Sequence, residues 1–292
     1  MDAERSPHDP PVRNISDTAL WVAQYRAVES ERPDAHFHDR YARALAGERG
    51  ARIAQSPQFG DRNAWAFVAR TTLIDGMIAD AIRAGVDLVL NLAAGLDTRP
   101  YRMDLPAALR WVEVDLPDIL DYKERVLADA GAVPRCALER VRLDLSDEAA
   151  RRALFTRLNE HARNALIVSE GLLIYLSAAQ VAVLARDLAA QPSFRRWVID
   201  LASPGLLKML ARQTGQAIVD AGAPFRFAPR EGEAFFPPLG WTPVRVESLL
   251  KAARTQNRLS WFMRLMAALP EPKQRNPDRP WSAIVELQRA AT

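Results

Sequence analysis

Two apolar runs, each closing on small or acidic residues, constrain the fold of this chain more than any other feature. The first is Leu88-Val89-Leu90-Asn91-Leu92, which gives way to Ala93-Ala94-Gly95-Leu96-Asp97-Thr98-Arg99. The second is Trp111-Val112-Glu113-Val114-Asp115, whose last residue stands twenty positions after Gly95. Continuous apolar runs of this length suit strands buried on both faces, as in a parallel sheet. In an open α/β sheet, small residues after the first strand let the backbone approach a ligand. A carboxylate at the tip of the next strand accepts hydrogen bonds from ribose hydroxyls. The pair therefore predicts a nucleoside-binding α/β protein.

The rest of the chain extends this pattern. Helical spacing of apolar residues predicts helices over 17–46, interrupted at Pro33, and over Trp65–Ile82, which Gly85 ends. Strands are expected at Asp87–Leu92, Arg110–Asp115, Leu138–Leu143, Ala165–Ser169 and Arg195–Leu201. Helices fall between them: Pro117-Asp118 opens one, Ser146 is read as the N-cap of the next, and Ser177 as the N-cap of Ala178–Ala190. After Ser203 come a helix over 205–222, an aromatic, Pro- and Gly-rich stretch over 223–240, and two strands, Trp241–Glu247 and Ser282–Leu287, around a helix near 248–268. The expected fold is α/β: a seven-stranded, mostly parallel Rossmann-like sheet with helices on both faces. Residues 1–15 read as a flexible, polar N-terminus. Residues 16–292 read as one domain: an N-terminal helical cap (16–84), a cofactor-binding core (85–203), a substrate-covering segment (204–240) and closing strands with a helix (241–292).

Composition narrows the class. The chain has 292 residues, 49% hydrophobic and 26% charged, with a net charge of +3, which is ordinary for a soluble domain. Its densest basic spots, Arg151-Arg152 and Arg195-Arg196, do not extend into a stripe, so nucleic acid is not an expected partner. No run approaches the ~18 apolar residues of a membrane span, and a membrane is not an expected partner. A single cysteine, Cys136, allows no internal disulfide, and the N-terminus lacks the apolar core of a signal peptide; a cytoplasmic protein is expected. The composition leaves the oligomeric state open.

The type of nucleoside is indicated by the glycines the turn lacks. A dinucleotide fold shapes its turn around a pyrophosphate with three glycines, whereas the equivalent positions here are Ala93, Gly95 and Thr98. A ligand without phosphates is indicated, and S-adenosylmethionine is the common one. Asp115 would hold its ribose, Asp144 with Leu145 would read the adenine edge, and Glu170 would face the cationic methionine end. Carboxylates at successive strand ends suit a sulfonium and an ammonium, and suit a pyrophosphate badly.

Six segments in order carry a resemblance. They are Thr18-Ala19-Leu20 with Arg26-Ala27-Val28-Glu29-Ser30; Ala69-Arg70-Thr71 with Asp75; Asn91 to Arg99; Glu113-Val114-Asp115-Leu116-Pro117 with Lys123; Leu143-Asp144-Leu145; and Ser169-Glu170-Gly171-Leu172-Leu173-Ile174-Tyr175-Leu176. Together, from about Ser16 to Trp241, they resemble the leucine carboxyl methyltransferase-like superfamily, including its bacterial polyketide O-methyltransferase branch. The resemblance implies a class I methyltransferase fold, with S-adenosylmethionine as cofactor and S-adenosylhomocysteine as product. It implies that Arg70 pairs with the cofactor carboxylate. It also implies that Ala93, Ala94, Gly95, Asp97, Asp115, Leu116, Asp144, Leu145, Glu170 and Gly171 contact the cofactor. Ala93 departs from the glycine common in the family.

Several residues admit two readings. Asp97 either forms the turn before Pro100 or positions Arg70 or the cofactor amine. Arg99 and Arg102 read as structural ion-pair partners. Tyr175 either faces the substrate or packs. Phe225, Phe227, Phe235 and Phe236 either wall the substrate site or belong to the core, and Trp261, Phe262, Met263, Leu265 and Met266 could complete that wall. Glu231 and Tyr175 are the only candidates for a catalytic base. His36 and His38 read as solvated or capping groups and Cys136 as an inert thiol, with no metal expected. The indicated activity is methyl transfer to a carboxylate or hydroxyl of a small molecule, possible in secondary metabolism. The alternatives are a protein C-terminal carboxyl methyltransferase and a non-catalytic cofactor-binding protein.

Overall fold

The computed structural model describes residue 12 and residues 15–56, 60, 63–214, 217–270 and 275–290. The expected flexible segment 1–15 lies outside them, apart from Val12 and Ile15; Val12 is buried against Ile53 and Ile218.

Seven strands form one sheet in the order β3-β2-β1-β4-β5-β7-β6. They are β1 (Leu88–Leu92), β2 (Arg110–Asp115), β3 (Ala137–Arg142), β4 (Ala165–Ser169), β5 (Phe194–Ala202), β6 (Trp241–Ser248) and β7 (Ser282–Arg289). Strands β1 to β5 pair in parallel, while β7 runs antiparallel to both β5 and β6. Alternation along each strand divides the apolar residues between two cores. Leu88, Leu90, Leu92, Val112, Val114 and Ile167 face one; Val89, Trp111, Leu166 and Val168 face the other.

The helices are α1 (Ile15–Ser30), α2 (Ala42–Gln55), α3 (Ala64–Arg83), α4 (Arg99–Arg102), α5 (Pro117–Asp129), α6 (Glu148–Glu160), α7 (Ala178–Ala189), α8 (Pro204–Thr214), α9 (Ala217–Asp220), α10 (Leu249–Thr255) and α11 (Trp261–Ala268). Helices α6 and α7 cover the first core with Leu154, Phe155, Val181 and Leu184, and α3 and α10 cover the second with Ile74, Met77, Leu249 and Ala253. Helices α1, α2 and α5 meet in a third cluster that includes Leu45, Leu96 and Ile119. No described helix is long and apolar enough to cross a membrane.

Four helical expectations change. The interruption expected at Pro33 is present, with α1 ending at Ser30, but the second helix, α2, begins only at Ala42 and continues past 46 to Gln55, kinked at Gly47 where φ is 56°. Asp147, not Ser146, caps α6 by accepting from the Ala150 N–H, while Ser146 donates its own N–H to Asp144. The helix expected over 205–222 is two, α8 and α9. The helix near 248–268 is also two, parted at Asn257 (φ 56°), with Ser260 capping the second. Ser177 caps α7 as expected and completes a capping box with Gln180.

Candidate functional site

A cavity of about 530 Å³ opens over the ends of β1, β2, β4 and β5. That size falls within the ~300–1,000 Å³ typical of small-molecule sites. Its floor is the turn after β1. Ala93 and Gly95 both have positive φ, 54° and 46°, and this folds the chain back under the cavity. Ala94 donates its N–H to Val114 O at 3.1 Å, joining the turn to β2. Gly95 donates to Asp115 Oδ2 at 2.7 Å, and Leu116 to Asp115 Oδ1 at 2.7 Å. Each Asp115 oxygen keeps a lone pair for a further donor. Burial pushes the Asp115 carboxyl above its ordinary range, although these two N–H groups pull it down.

The N-terminal helices brace this turn. Arg26 Nη2 donates to Leu96 O at 2.6 Å, and its Nε to Asp39 at 2.9 Å. Thr98 Oγ1 donates to the same Asp39 oxygen at 2.6 Å, and the Asp39 side chain is fully buried.

Beyond Gly95 the cavity meets a charged cluster. Arg99 bonds Asp75 at 2.6 Å, Asp97 at 2.8 Å and Glu170 at 2.9 Å. Arg102 pairs with Asp75 as well, and Asn91 Nδ2 donates to Asp97 at 2.8 Å. Arg70 reaches in from α3, with its Nε 2.9 Å from Glu170 and its Nη1 3.4 Å from Asp200. Gly171 donates its N–H to Asp200 at 2.8 Å. Burial alone would raise Asp97, but Arg99, Lys123 and Arg102 hold it well below the usual carboxylate range. Burial likewise opposes ionisation of Glu170, and Arg99 and Arg70 overcome it. Asp200 behaves oppositely: burial pushes it up despite Arg70 and Gly171. Four carboxylates, Asp75, Asp97, Glu170 and Asp200, share three arginines, so the cluster is rich in carboxylate oxygens.

This arrangement fits the cofactor expected from the sequence. A buried, negative wall suits a ligand with an ammonium and a sulfonium. Arg70 lines the cavity, and its five N–H donors outnumber its contacts with Glu170 and Asp200, which leaves donors to meet a ligand carboxylate. Asp144 and Leu145 lie at the rim, Asp144 exposed and Leu145 partly buried. Arg70, Ala93, Ala94, Gly95, Asp97, Asp115, Leu116, Asp144, Leu145, Glu170 and Gly171 thus all line one cavity. Glu170 differs in detail, because its carboxylate is already held between two arginines.

The other end of the cavity is apolar. Trp21 of α1, Leu206, Met209 and Leu210 of α8, Tyr175 and Phe225 surround it. The Tyr175 and Phe225 ring centroids are 5.8 Å apart, and burial raises the Tyr175 phenol. The remaining expected wall residues do not line it. Phe227 and Phe236 are buried in the first core, and Phe235 packs on them; Phe236 meets Trp197 edge-on at 5.6 Å. These rings fill the space under β5 and β6, where long-range packing outweighs proximity in sequence to the cavity. Glu231 is exposed and outside the cavity, so it does not reach a bound substrate. Trp261, Phe262, Leu265 and Met266 face outward, because α11 packs through Ala267 and Met263.

Sequence reasoning missed Asp200 and the central place of Arg99. An ionisable residue ending the apolar run Trp197-Val198-Ile199 was the available signal for Asp200, since the same pattern marks Asp115. Outside the cavity, His36 and His38 are exposed and contact the Gln256 and Ser30 carbonyls.

The sequence profile of the family described as "Leucine carboxyl methyltransferase" matches residues 19–189. A provisionally named S-adenosyl-L-methionine-dependent methyltransferase of Mycolicibacterium paratuberculosis is 37% identical over 178 residues, 57% of this chain and 59% of the relative. One from Parafrankia is 38% identical over 62% of this chain and 61% of its own length. The chain thus spans about three fifths of these two relatives. A similarly named protein of Frankia alni is 33% identical over 77% of this chain and 81% of that protein. Among solved structures, a DUF574 family protein from Streptomyces avermitilis aligns with a TM-score of 0.56 and 16% identity, covering 91% of this chain and 96% of its own. A provisionally named methyltransferase from Thermobifida fusca aligns with a TM-score of 0.55 and 19% identity, covering 96% of each chain. At these identities the structural matches speak for the fold.

Proposed function

The chain belongs to the leucine carboxyl methyltransferase family, and we propose that it is an S-adenosylmethionine-dependent O-methyltransferase acting on a small, largely apolar molecule of the kind made in secondary metabolism. One observation carries this reading: a single cavity joins a negative, backbone-lined end to an apolar, aromatic end. The cofactor, when bound, supplies a methyl group activated on a sulfonium.

This chain's own residues do the rest. Asp115 accepts from the ribose diol with its unused lone pairs. Arg70 offers a donor to the amino-acid carboxylate, and the Asp97–Glu170–Asp200 wall favours positive charge beside it. Trp21, Tyr175 and Phe225 exclude water and hold the acceptor in line, which is the main requirement of a displacement at carbon.

The charge inventory favours a hydroxyl acceptor over a carboxylate. Every arginine lining the cavity among the described residues already pairs with a carboxylate: Arg26 with Asp39, Arg70 with Glu170, Arg99 and Arg102 with Asp75, and Arg151 with Asp187. A second carboxylate entering the apolar end would meet Asp200 without an unpaired cation. A hydroxyl must lose its proton during attack, and we assign that proton to Asp200, which lines the cavity close enough to Tyr175 to act on its phenol. The same inventory weighs against a protein C-terminal carboxylate as acceptor.

Two measurements test the proposal. Calorimetric titration with S-adenosylmethionine, S-adenosylhomocysteine and NAD should show binding of the first two only; a response to NAD alone would sink the cofactor assignment. Isotopically labelled S-adenosylmethionine should then label phenols and aliphatic alcohols from a mixed panel. Label appearing only on carboxylates, or on a peptide C-terminus, would overturn the acceptor assignment. Cofactor binding with no transfer to any panel member would favour the non-catalytic reading.

A further inference from the structure

Helix α11 turns most of its apolar surface away from the protein. Trp261, Phe262, Leu265 and Met266 are 75%, 59%, 61% and 51% exposed, and Leu269, just past the helix end, is 59% exposed. Their spacing of i, i+1, i+4, i+5 and i+8 makes one stripe along the helix. Soluble monomers seldom leave so many large side chains contiguous and bare unless the surface docks on something. A shallow cleft beside the stripe is lined by Lys251, Arg254 and Arg264, with Leu269 and Pro270 at its edge. No described residue lining that cleft is acidic, and none of the three cations forms an ion pair among the described residues.

We propose that α11 and the Lys251–Arg254–Arg264 cleft form a docking surface for an anionic lipid bilayer. An apolar stripe with Trp and Phe, flanked by unpaired Lys and Arg, is the composition of a helix that lies in the membrane interface. The stripe enters the boundary between headgroups and acyl chains while the cations meet headgroup phosphates. A second copy of this chain complements the surface less well, because it would bring the same cations and, among the described residues lining the cleft, no carboxylate. Helix α10 connects this surface to the cavity. Its first residue, Leu249, lines the cavity, and its Lys251 and Arg254 line the cleft. A bilayer-held protein would thus have its apolar cavity close to where apolar acceptors partition. The docking surface itself does not depend on the activity proposed above.

Vesicle flotation with the full chain tests this. The protein should float with phosphatidylcholine vesicles containing phosphatidylglycerol, much less with phosphatidylcholine alone, and binding should fall as salt rises. The double change Trp261→Ser with Phe262→Ser should weaken partition roughly tenfold or more, since it removes the two aromatic anchors. The triple change Lys251→Glu, Arg254→Glu and Arg264→Glu should remove the preference for phosphatidylglycerol. Both variants should keep the thermal shift given by S-adenosylmethionine. Should the double variant lose that shift, the single exposed change Leu265→Gln takes its place. Failure of the wild-type protein to float with anionic vesicles would overturn the proposal. So would a concentration-dependent dimer, seen by light scattering, that Leu265→Gln dissociates.

Discussion

Replacing Ala93 by glycine should stabilise the protein, although glycine usually weakens a fold. Ala93 sits at φ 54°, a left-handed conformation that crowds its Cβ against the following carbonyl. For a residue with a Cβ this costs about 1–2 kcal/mol relative to the right-handed region. Glycine escapes that strain, but it frees the unfolded chain by about 0.4–1 kcal/mol. The difference runs from about 0 to 1.6 kcal/mol and centres on a net gain of about 0.8 kcal/mol. For a chain of this size that raises Tm by about 1–2 °C. The methyl group also lines the cavity, so its removal should leave S-adenosylmethionine affinity equal or improved. Ala93→Val supplies the control: a β-branched residue is more restricted at positive φ and should lower Tm. Urea unfolding and thermal melts, with and without cofactor, read all of these. A glycine variant less stable than wild type, or a valine variant as stable, would refute the strain argument.

Asp115→Asn should weaken S-adenosylmethionine binding about ten- to a hundredfold by calorimetry, since a hydrogen bond to a charged group is worth about 1.5–3 kcal/mol. Unchanged affinity would mean the ribose lies elsewhere. Asp200→Asn should raise apo stability at neutral pH. The native carboxyl is shifted up by burial, so its favourable, protonated contribution is complete only below the ordinary value of 3.8 and is lost as pH rises through the native value. Melts at stepped pH should show variant and wild type converging as pH falls towards 3.8; a constant gap would contradict the sign. Lys123→Met removes one partner of fully buried Glu113, leaving Arg140 as its remaining cation. A loss of about 3–5 kcal/mol in urea unfolding is expected, and a loss below about 1 kcal/mol would show that Arg140 alone suffices.

The parallel strands were legible because each is an apolar run closed by a polar residue at the sheet edge. Arg110–Asp115 and Ala165–Ser169 match residue for residue. Much of the cavity lining was legible for the same reason, since Asp115, Asp144, Glu170 and the small residues after β1 stand at strand ends, whereas Asp200 was missed. Helix ends were less so. Pro33 announces the break after α1, but the bounds of α2 were not legible, because the loop between the two helices is organised by Asp39, whose partner Thr98 is remote in sequence. The aromatic residues 225–236 show the limit most clearly. Phe225 faces the cavity against Tyr175 while Phe227 and Phe236 enter the core, where Phe236 meets Trp197, and these partners lie far away in the sequence.

The bracing of the β1 turn by Arg26 and Asp39 also bears on the order of folding. Arg26 reaches seventy residues ahead to Leu96, and Asp39 fifty-nine residues ahead to Thr98. During synthesis, α1 and α2 emerge before the turn they hold exists, and a carboxylate destined for full burial must wait in water for its partners. The sheet can therefore close first, with docking of the N-terminal helices a late step that finishes the floor of the cavity. Reopening would begin at the same seam. A ligand resting on that floor should slow it, so amide exchange in residues 15–55 should respond to cofactor more strongly than exchange in the strands.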